Sequence, residues 1–308
     1  MSGSLFDHAV ALHRQFPDGP LPLDGSPYPD EARFQGFRAR HHRDQDRRAE
    51  GADVATVLDA YFATDTGSAE QLAETLARLD VPIRANDHIR AAALRAGRAR
   101  VRRTGQWLVR KAHDRNAAVV GLALLETGHD DRDTPLIRTI GLLSNLFAPL
   151  AADALLRRQS GVEALLWLGD RTSGWGRVYV VEALCKSSRA RPWLLRHACD
   201  GDILNGYFAG NVATAAHLHA AIAFDDADEE LVDHTGRLLH VMTWCRGMGT
   251  TLEGYPAAAP VVEAYARHVS RLPATEARLR TRSALAEHLR AVPLTGLDTA
   301  ATLGALLG

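Results

Sequence analysis

Apolar residues recur along this chain at the spacing of helix faces, without the alternation that is typical of β-strands. After Ser68, for example, Leu72, Leu76 and Leu79 fall at positions i, i+4 and i+7, which places them on one side of a helix. No run alternates apolar and polar residues over more than a few positions. The pattern therefore predicts an all-α protein.

Turn and capping residues divide this pattern into elements. Ser68-Ala-Glu-Gln71 has the form of a capping box, and Asn86 or Asp87 is placed to cap a long basic helix. The prolines within 17–29 predict a loop or an extended strap, because proline lacks a donor and fixes φ. One long helix, interrupted by two glycines, is predicted over 203–222. The other predicted helices are 5–16, 30–48, 116–127, 134–144, 147–158, 161–169, 175–187, 191–199, 261–272, 275–291 and 297–307.

The middle of the chain repeats at an interval of roughly 30 residues. Leu124, Leu155 and Leu184 hold similar places in three predicted helices, 31 and 29 residues apart. In the helices that follow them, the corresponding residues are Ile137, Leu165 and Leu194. Such helix pairs are typical of an α-α superhelix, a solenoid of the HEAT/ARM kind, in which each pair buries its apolar face on its neighbours. An irregular bundle of helix-turn-helix units is the alternative that the same spacing allows.

We expect a single helical domain over 1–308, organised in three parts. Residues 1–115 form irregular N-terminal helices with the proline-rich strap, 116–199 form the HEAT-like repeats, and 200–308 form C-terminal helices. An acidic cluster at 225–233 begins a helix that continues to Cys245, because negative charge favours a helix N-terminus.

Composition and charge exclude few function classes. The net charge of −1 provides no overall field that would select a nucleic acid or a membrane. Three cysteines give no disulfide framework and are typical of a reducing compartment. Residues 1–15 lack the apolar core of a signal peptide, and the most apolar stretch, 139–156, is too polar to cross a membrane. We therefore expect a cytoplasmic protein without a membrane-spanning segment.

One segment carries a resemblance to a known group of proteins. Trp175-Gly-Arg-Val-Tyr-Val-Val-Glu182, followed by Trp193-Leu-Leu-Arg196, resembles a stretch of uncharacterised HEAT-like proteins of actinobacteria. The resemblance covers roughly 30 residues and implies helical repeats. It implies no activity.

A basic stretch at 84–115 is the first candidate site. It holds ten cations against Asp87 and Asp114, and 34 of the 36 basic residues in the chain are arginine. Arg95, Arg98 and Arg102 fall at i, i+3 and i+7, a predicted helical stripe that suits phosphates of a nucleic acid or an acidic partner. A solvated face, or pairing with the acidic cluster at 225–233, explains the same pattern.

An aromatic-acidic patch on the predicted helix 175–187 is the second candidate. Trp175, Tyr179 and Glu182 follow one another at helical spacing beside Arg177. Two aromatic rings and a carboxylate suit a small cation or an extruded base, and HEAT-like alkylpurine DNA glycosylases are similar in those ingredients. The spacing does not match theirs, so no residue is carried over from them, and Glu182 is a weak catalytic candidate on its own chemistry. Packing of Trp175 and pairing of Glu182 with Lys186 is the structural alternative.

Polar groups around the second tryptophan form a third candidate. Asn205, Tyr207 and Asn211 are polar groups in an otherwise apolar segment beside Trp193, and they suit either the inner ridge of a solenoid or hydrogen bonds to backbone. No zinc motif, phosphate-binding loop, dinucleotide fingerprint or nucleophile elbow occurs, so we expect no metal and no cofactor.

These observations lead to three functional hypotheses. The first is a helical-repeat protein that presents a concave groove to a protein partner. The second is a HEAT-like DNA-acting enzyme, such as a base-excision glycosylase, that holds nucleic acid along 84–115. The third is a small-molecule site near Trp175, Trp193 and Tyr207.

Overall fold

The computed structural model describes residues 3–40 and 49–308, and only the backbone of 36–40. The described residues form 18 α-helices and no strand, which confirms the all-α prediction. The helices are Leu5–Gln15 (α1), Glu31–Arg40 (α2), Ala52–Phe62 (α3), Ala69–Leu76 (α4), Asp87–Arg95 (α5), Arg98–Lys111 (α6), Arg115–Glu126 (α7), Thr134–Ile140 (α8), Ser144–Leu156 (α9), Gly161–Gly169 (α10), Gly174–Leu184 (α11), Arg191–His197 (α12), Ala209–Ala215 (α13), Leu218–Ile222 (α14), Glu229–Trp244 (α15), Ala258–Val269 (α16), Glu276–Ala291 (α17) and Thr299–Leu307 (α18). The superhelical repeat stays a prediction, and the end of the predicted helix 30–48 lies outside the described residues.

Polar side chains cap many of these helices. The Ser68 hydroxyl accepts a hydrogen bond from the Gln71 N–H, and the Asp228 carboxylate accepts one from the Leu231 N–H. Such caps contribute on the order of 1 kcal/mol each, since they satisfy donors that the first turn leaves unpaired. The capping residues that the sequence singled out at Ser68 and Asn86 therefore do start helices.

The described chain packs as two compact units, 1–180 and 181–308, and the division falls inside α11. The organisation as a single domain stays a prediction. In the first unit α7 is the central helix: its 12 residues are all buried, and it packs against α4, α5, α6 and α9. Helices α6 and α7 approach closely at Gly121, where a Cβ would stand 2.6 Å from the Leu108 Cβ.

The second unit is built around α15. This helix packs against α12, α13, α16 and α17, while α18 lies on α16 and α17. Its apolar side supplies buried residues such as Leu231, Leu238 and Leu239. The helix predicted to start in the acidic cluster is thus the core helix of 181–308.

The prediction of one long helix over 203–222 is wrong. The segment forms a 3-10 helix at Ile203–Tyr207 and then α13 and α14, which are separated by His217 in the left-handed region at φ 52°. The break at Phe208 lies between two glycines on which another segment packs, because a Cβ on Gly206 would meet the Met248 Sδ at 3.0 Å and one on Gly210 would meet the Thr250 Cβ at 2.5 Å. Tertiary packing therefore decides where this helical stretch breaks.

Candidate binding cleft at Trp175 and Tyr179

An open cleft of about 610 Å³ lies within residues 1–180. The proline-rich strap and α2 form one side, and the start of α9 and the first turns of α11 form another. Its lining residues are Leu23, Asp24, Ser26, Tyr28, Glu31, Phe34, Gln35, Ile83, Arg115, Asn145, Leu146, Trp175 and Tyr179.

Two aromatic side chains of α11 form one wall of the cleft. Trp175 and Tyr179, one helical turn apart, stack with ring centroids 6.2 Å apart and an interplanar angle of 26°. The Arg84 guanidinium carbon lies 4.8 Å from the centroid of the Tyr179 ring, a cation–π geometry. This wall therefore presents a flat apolar surface with a cation at its edge.

The strap forms a second wall of the cleft and has an unusual backbone. Leu23, Asp24 and Gly25 are all left-handed, with φ of 48°, 56° and 78°. A non-glycine residue in this region costs roughly 1–2 kcal/mol, so other contacts must hold the segment. The consequence is that the Leu23 side chain points outward and is 81% exposed.

The Asp24 carboxylate is the main anchor of this strained segment. It accepts hydrogen bonds from the backbone N–H of Ser144, at 3.2 Å, from the Ser144 hydroxyl and from the backbone N–H of Asn145. Burial raises the pKa of Asp24, and these hydrogen bonds offset part of that rise. The carboxylate also caps the start of α9, which otherwise has no side-chain cap. The strap is thereby fixed to a helix 120 residues away in sequence.

Arg115 fixes the floor of the cleft. Its Nη2 donates to Asp30 and to Glu31, at 2.8 Å in each case, and its guanidinium carbon lies 3.8 Å from the Phe34 ring centroid and 5.0 Å from that of Tyr28. Burial disfavours the charged form, but the two carboxylates outweigh it and raise the pKa of Arg115. Its hydrogen bond in turn lowers the pKa of Glu31. Through these contacts the guanidinium of Arg115 links α2 and the strap to α7.

Two of the predicted binding residues have structural roles. The buried Arg177 donates from Nη1 to the carbonyls of Gly169 and Thr172, at 2.6 and 3.3 Å, and so satisfies the C-terminal end of α10. Asn205 is also buried, and its amide oxygen accepts from the backbone N–H of Asp200 at 2.9 Å. Its contacts stabilise a turn, which agrees with the alternative of hydrogen bonds to backbone.

The other residues of the predicted ridge do not line the cleft. Glu182, Trp193 and Tyr207 belong to residues 181–308. Glu182 is exposed, while Trp193 is buried with its ring 6.1 Å from that of His197. Of the aromatic-acidic patch, only Trp175 and Tyr179 are therefore cleft residues.

The predicted arginine stripe is wrong as a single helical face. Ala96 and Gly97 have extended backbone and separate α5 from α6, so Arg95 is on a different helix from Arg98 and Arg102. Arg95 pairs with Asp59 at 2.6 Å, and Arg102 pairs with Asp133 at 2.8 Å.

The acidic cluster has its own partners within 181–308. Asp228 pairs with Arg196 at 2.6 Å, and Asp233 pairs with Arg278 at 2.7 Å. The pairing of the basic stretch 84–115 with the acidic cluster 225–233, which the sequence analysis offered as an alternative, is thus absent from these described ion pairs.

Leu23 and Asp24 are cleft residues that the sequence analysis missed. The only signal was the density of prolines around them, which indicated a strap but gave no residue a role. Within the part of the chain that the structure describes, no three His, Cys, Asp or Glu side chains are grouped to hold a metal ion. None of the described helices combines the length and apolar character that a membrane crossing requires.

Comparisons with known proteins add no assignment. No protein-family model, no curated protein and no solved structure matches the chain. The resemblance to HEAT-like proteins of actinobacteria therefore stays a prediction.

Proposed function

We propose that this chain is a binding protein whose Trp175 cleft receives a segment of a protein partner. One observation carries the proposal: Leu23 and Trp175, exposed by 81% and 38%, line the same open cleft. Large apolar side chains around a pocket are typical anchor points of protein interfaces.

The backbone at Leu23 supports an interaction role. Left-handed non-glycine residues persist only where surrounding contacts hold them, and such strain concentrates at functional sites. Here the Asp24 anchor on α9 maintains a conformation whose visible result is an outward leucine. A role for Leu23 as an interface residue explains this arrangement, because burial of its side chain by a partner would offset the free-energy cost of exposing an apolar side chain to water.

The openness of the cleft favours a protein segment over a small molecule. Small-molecule sites bury most of the ligand surface, whereas this cleft opens broadly to solvent between its two walls. A side chain that protrudes from a larger partner needs only one such recess, because the surrounding surfaces complete the contact. A HEAT-type superhelix in the cytoplasm is the setting we propose for this interaction.

No observation favours the DNA-acting alternative at this cleft. That hypothesis requires Trp175, Glu182 and the arginines of the basic stretch to share one groove. The cleft lining includes Trp175 but contains neither Glu182 nor Arg95, Arg98 or Arg102.

Affinity capture with variant baits tests the proposal. The full-length chain, Leu23→Ser and Trp175→Ala are compared as baits in a native lysate, with Ile203→Ser as the control for an exposed apolar residue, 67% exposed, outside the cleft. We expect a protein that the wild type and Ile203→Ser retain and that both cleft variants lose. Capture that is unchanged in both cleft variants, each verified as folded by circular dichroism, contradicts the proposal.

A further inference from the structure

A second cavity, of about 560 Å³, lies within residues 1–180 among α5, α6, α7 and the turn after α7. Its ionisable lining is dominated by arginine. Arg90, Arg98, Arg102 and Arg157 stand against Asp130 and Asp133, which leaves a surplus of two positive charges.

The carboxylates around this cavity are already engaged by arginines. Asp133 accepts from the Nε and Nη2 of Arg102 at 2.8 and 2.9 Å. Asp130 accepts from Arg132 at 2.6 Å, and Glu126, beside the cavity, pairs with Arg157 at 2.6 Å. A cation that enters the cavity therefore meets no open carboxylate.

Two guanidinium groups, in contrast, retain donors for an incoming anion. The side chain of Arg98, exposed at the first residue of α6, makes no hydrogen bond or ion pair with the described residues. Arg90 forms an ion pair with Glu126 at 3.8 Å, but at that distance its donors make no hydrogen bond to the carboxylate. Helix α6 also starts here with Gly97 as N-cap, without a side-chain cap and without an acidic residue in its first turn, so nothing in that turn opposes negative charge.

A buried cation behind the cavity adds to the positive potential. The Arg158 side chain is fully buried and donates to the carbonyls of Leu125 and Asp130, both of which line the cavity, at 3.0 and 3.2 Å. Its nearest carboxylate, Asp133, is 3.9 Å away, and burial lowers the pKa of Arg158. An anion in the cavity would compensate this charge better than the present contacts do.

The remaining wall of the cavity is apolar, with Leu94, Val101 and Leu124 among its residues. We propose that this cavity binds an organic phosphate monoester, with the phosphate at Arg90 and Arg98 and the apolar body against Leu94 and Val101. Guanidinium forks match phosphate oxygens, and the four lining arginines together with Arg158 outnumber the carboxylates of Asp130, Asp133 and Glu126 by two, which matches a dianion better than the single charge of a carboxylate. The site is independent of the Trp175 cleft.

Calorimetric titration of the full-length chain tests this assignment, with phenyl phosphate as the probe and inorganic phosphate and phenol as references. Arg98→Ala is the test variant. Arg103→Ala is the matched control, since Arg103 is an exposed arginine of the same helix that does not line the cavity. We expect Arg98→Ala to raise the Kd for phenyl phosphate by about tenfold or more, as for the loss of a charge-assisted hydrogen bond, and Arg103→Ala to leave it near the wild-type value.

The references separate the two halves of the proposal. Inorganic phosphate is expected to bind more weakly than phenyl phosphate and to depend on Arg98, while phenol alone does not bind. Equal affinity of the wild type and Arg98→Ala, or no binding of phenyl phosphate at millimolar concentration, overturns the site. Equal affinity for phosphate and phenyl phosphate overturns the apolar contact. Trp175→Ala is expected to bind phenyl phosphate normally, so failure of the partner proposal does not affect this result.

Discussion

Replacing Asp30 with asparagine removes the charge that holds the buried guanidinium of Arg115. The two side chains are only 3% and 7% exposed. The carboxylate accepts from the Arg115 Nε at 3.0 Å, from Nη2 at 2.8 Å and from the Arg115 backbone N–H at 2.8 Å. Asparagine keeps the shape of the side chain but turns a donor toward these donors. Among the described residues, the variant therefore leaves the buried cation with Glu31 alone as its ionic partner.

Breaking a buried ion pair by removing one partner costs roughly 3–5 kcal/mol. Glu31 remains 2.8 Å from the Arg115 Nη2 and is itself 31% exposed, so we expect the lower end, about 3 kcal/mol. That loss is a large fraction of the free energy of unfolding of a typical domain, roughly 5–15 kcal/mol.

Urea unfolding followed by circular dichroism measures the loss as a lower midpoint. Hydrogen exchange of the α7 amides assigns the loss to residues 1–180. The matched control is Asp59→Asn. The Asp59 carboxylate also accepts from the Nε and Nη2 of an arginine, Arg95, at 3.1 and 2.6 Å, but both of these side chains are exposed to solvent. We expect the control to unfold near the wild-type midpoint, since exposed ion pairs are screened. Equal midpoint shifts in the two variants would refute the reasoning.

Three further predictions concern other parts of the chain. Gly121→Ala should lower stability by about 1–3 kcal/mol in thermal unfolding, because the added Cβ would overlap Leu108. Gly304→Ala should raise stability by about 0.5–1 kcal/mol, because no atom lies within 4 Å of its added Cβ. A change of the same sign in both variants contradicts the packing argument. Burial lowers the pKa of His240 below its ordinary value, so the folded state binds the proton less readily than the unfolded state does, and stability falls as the pH drops through the range in which histidine titrates. His240→Gln should therefore lose less stability than the wild type between about pH 7 and pH 5, as urea midpoints measure, and identical pH profiles would contradict this. Leu23→Asn should raise the melting temperature, by up to about 1 kcal/mol in stability, because asparagine tolerates the left-handed region; a lower melting temperature speaks against strain at this residue.

The helices follow largely from local sequence. The predicted helix 161–169 coincides with α10, and Ser68 caps α4 as expected. Apolar periodicity and capping depend on residues within a few positions of one another, so the sequence alone is sufficient to predict them. The same locality placed Trp175 and Tyr179 one turn apart on one helix face, where they do stack.

Where the helices break and which side chains meet depended on distant residues. The predicted helix at 203–222 breaks at Phe208, between Gly206 at Met248 and Gly210 at Thr250. The strap wall of the cleft is held because Asp24 binds the start of α9. The sequence indicated the basic stretch, but the fold decided that the Arg102 side chain pairs with Asp133 whereas the Arg98 side chain lines a cavity. Periodicity records which side of a helix is apolar, but it carries no information on which distant side chain comes to lie against it.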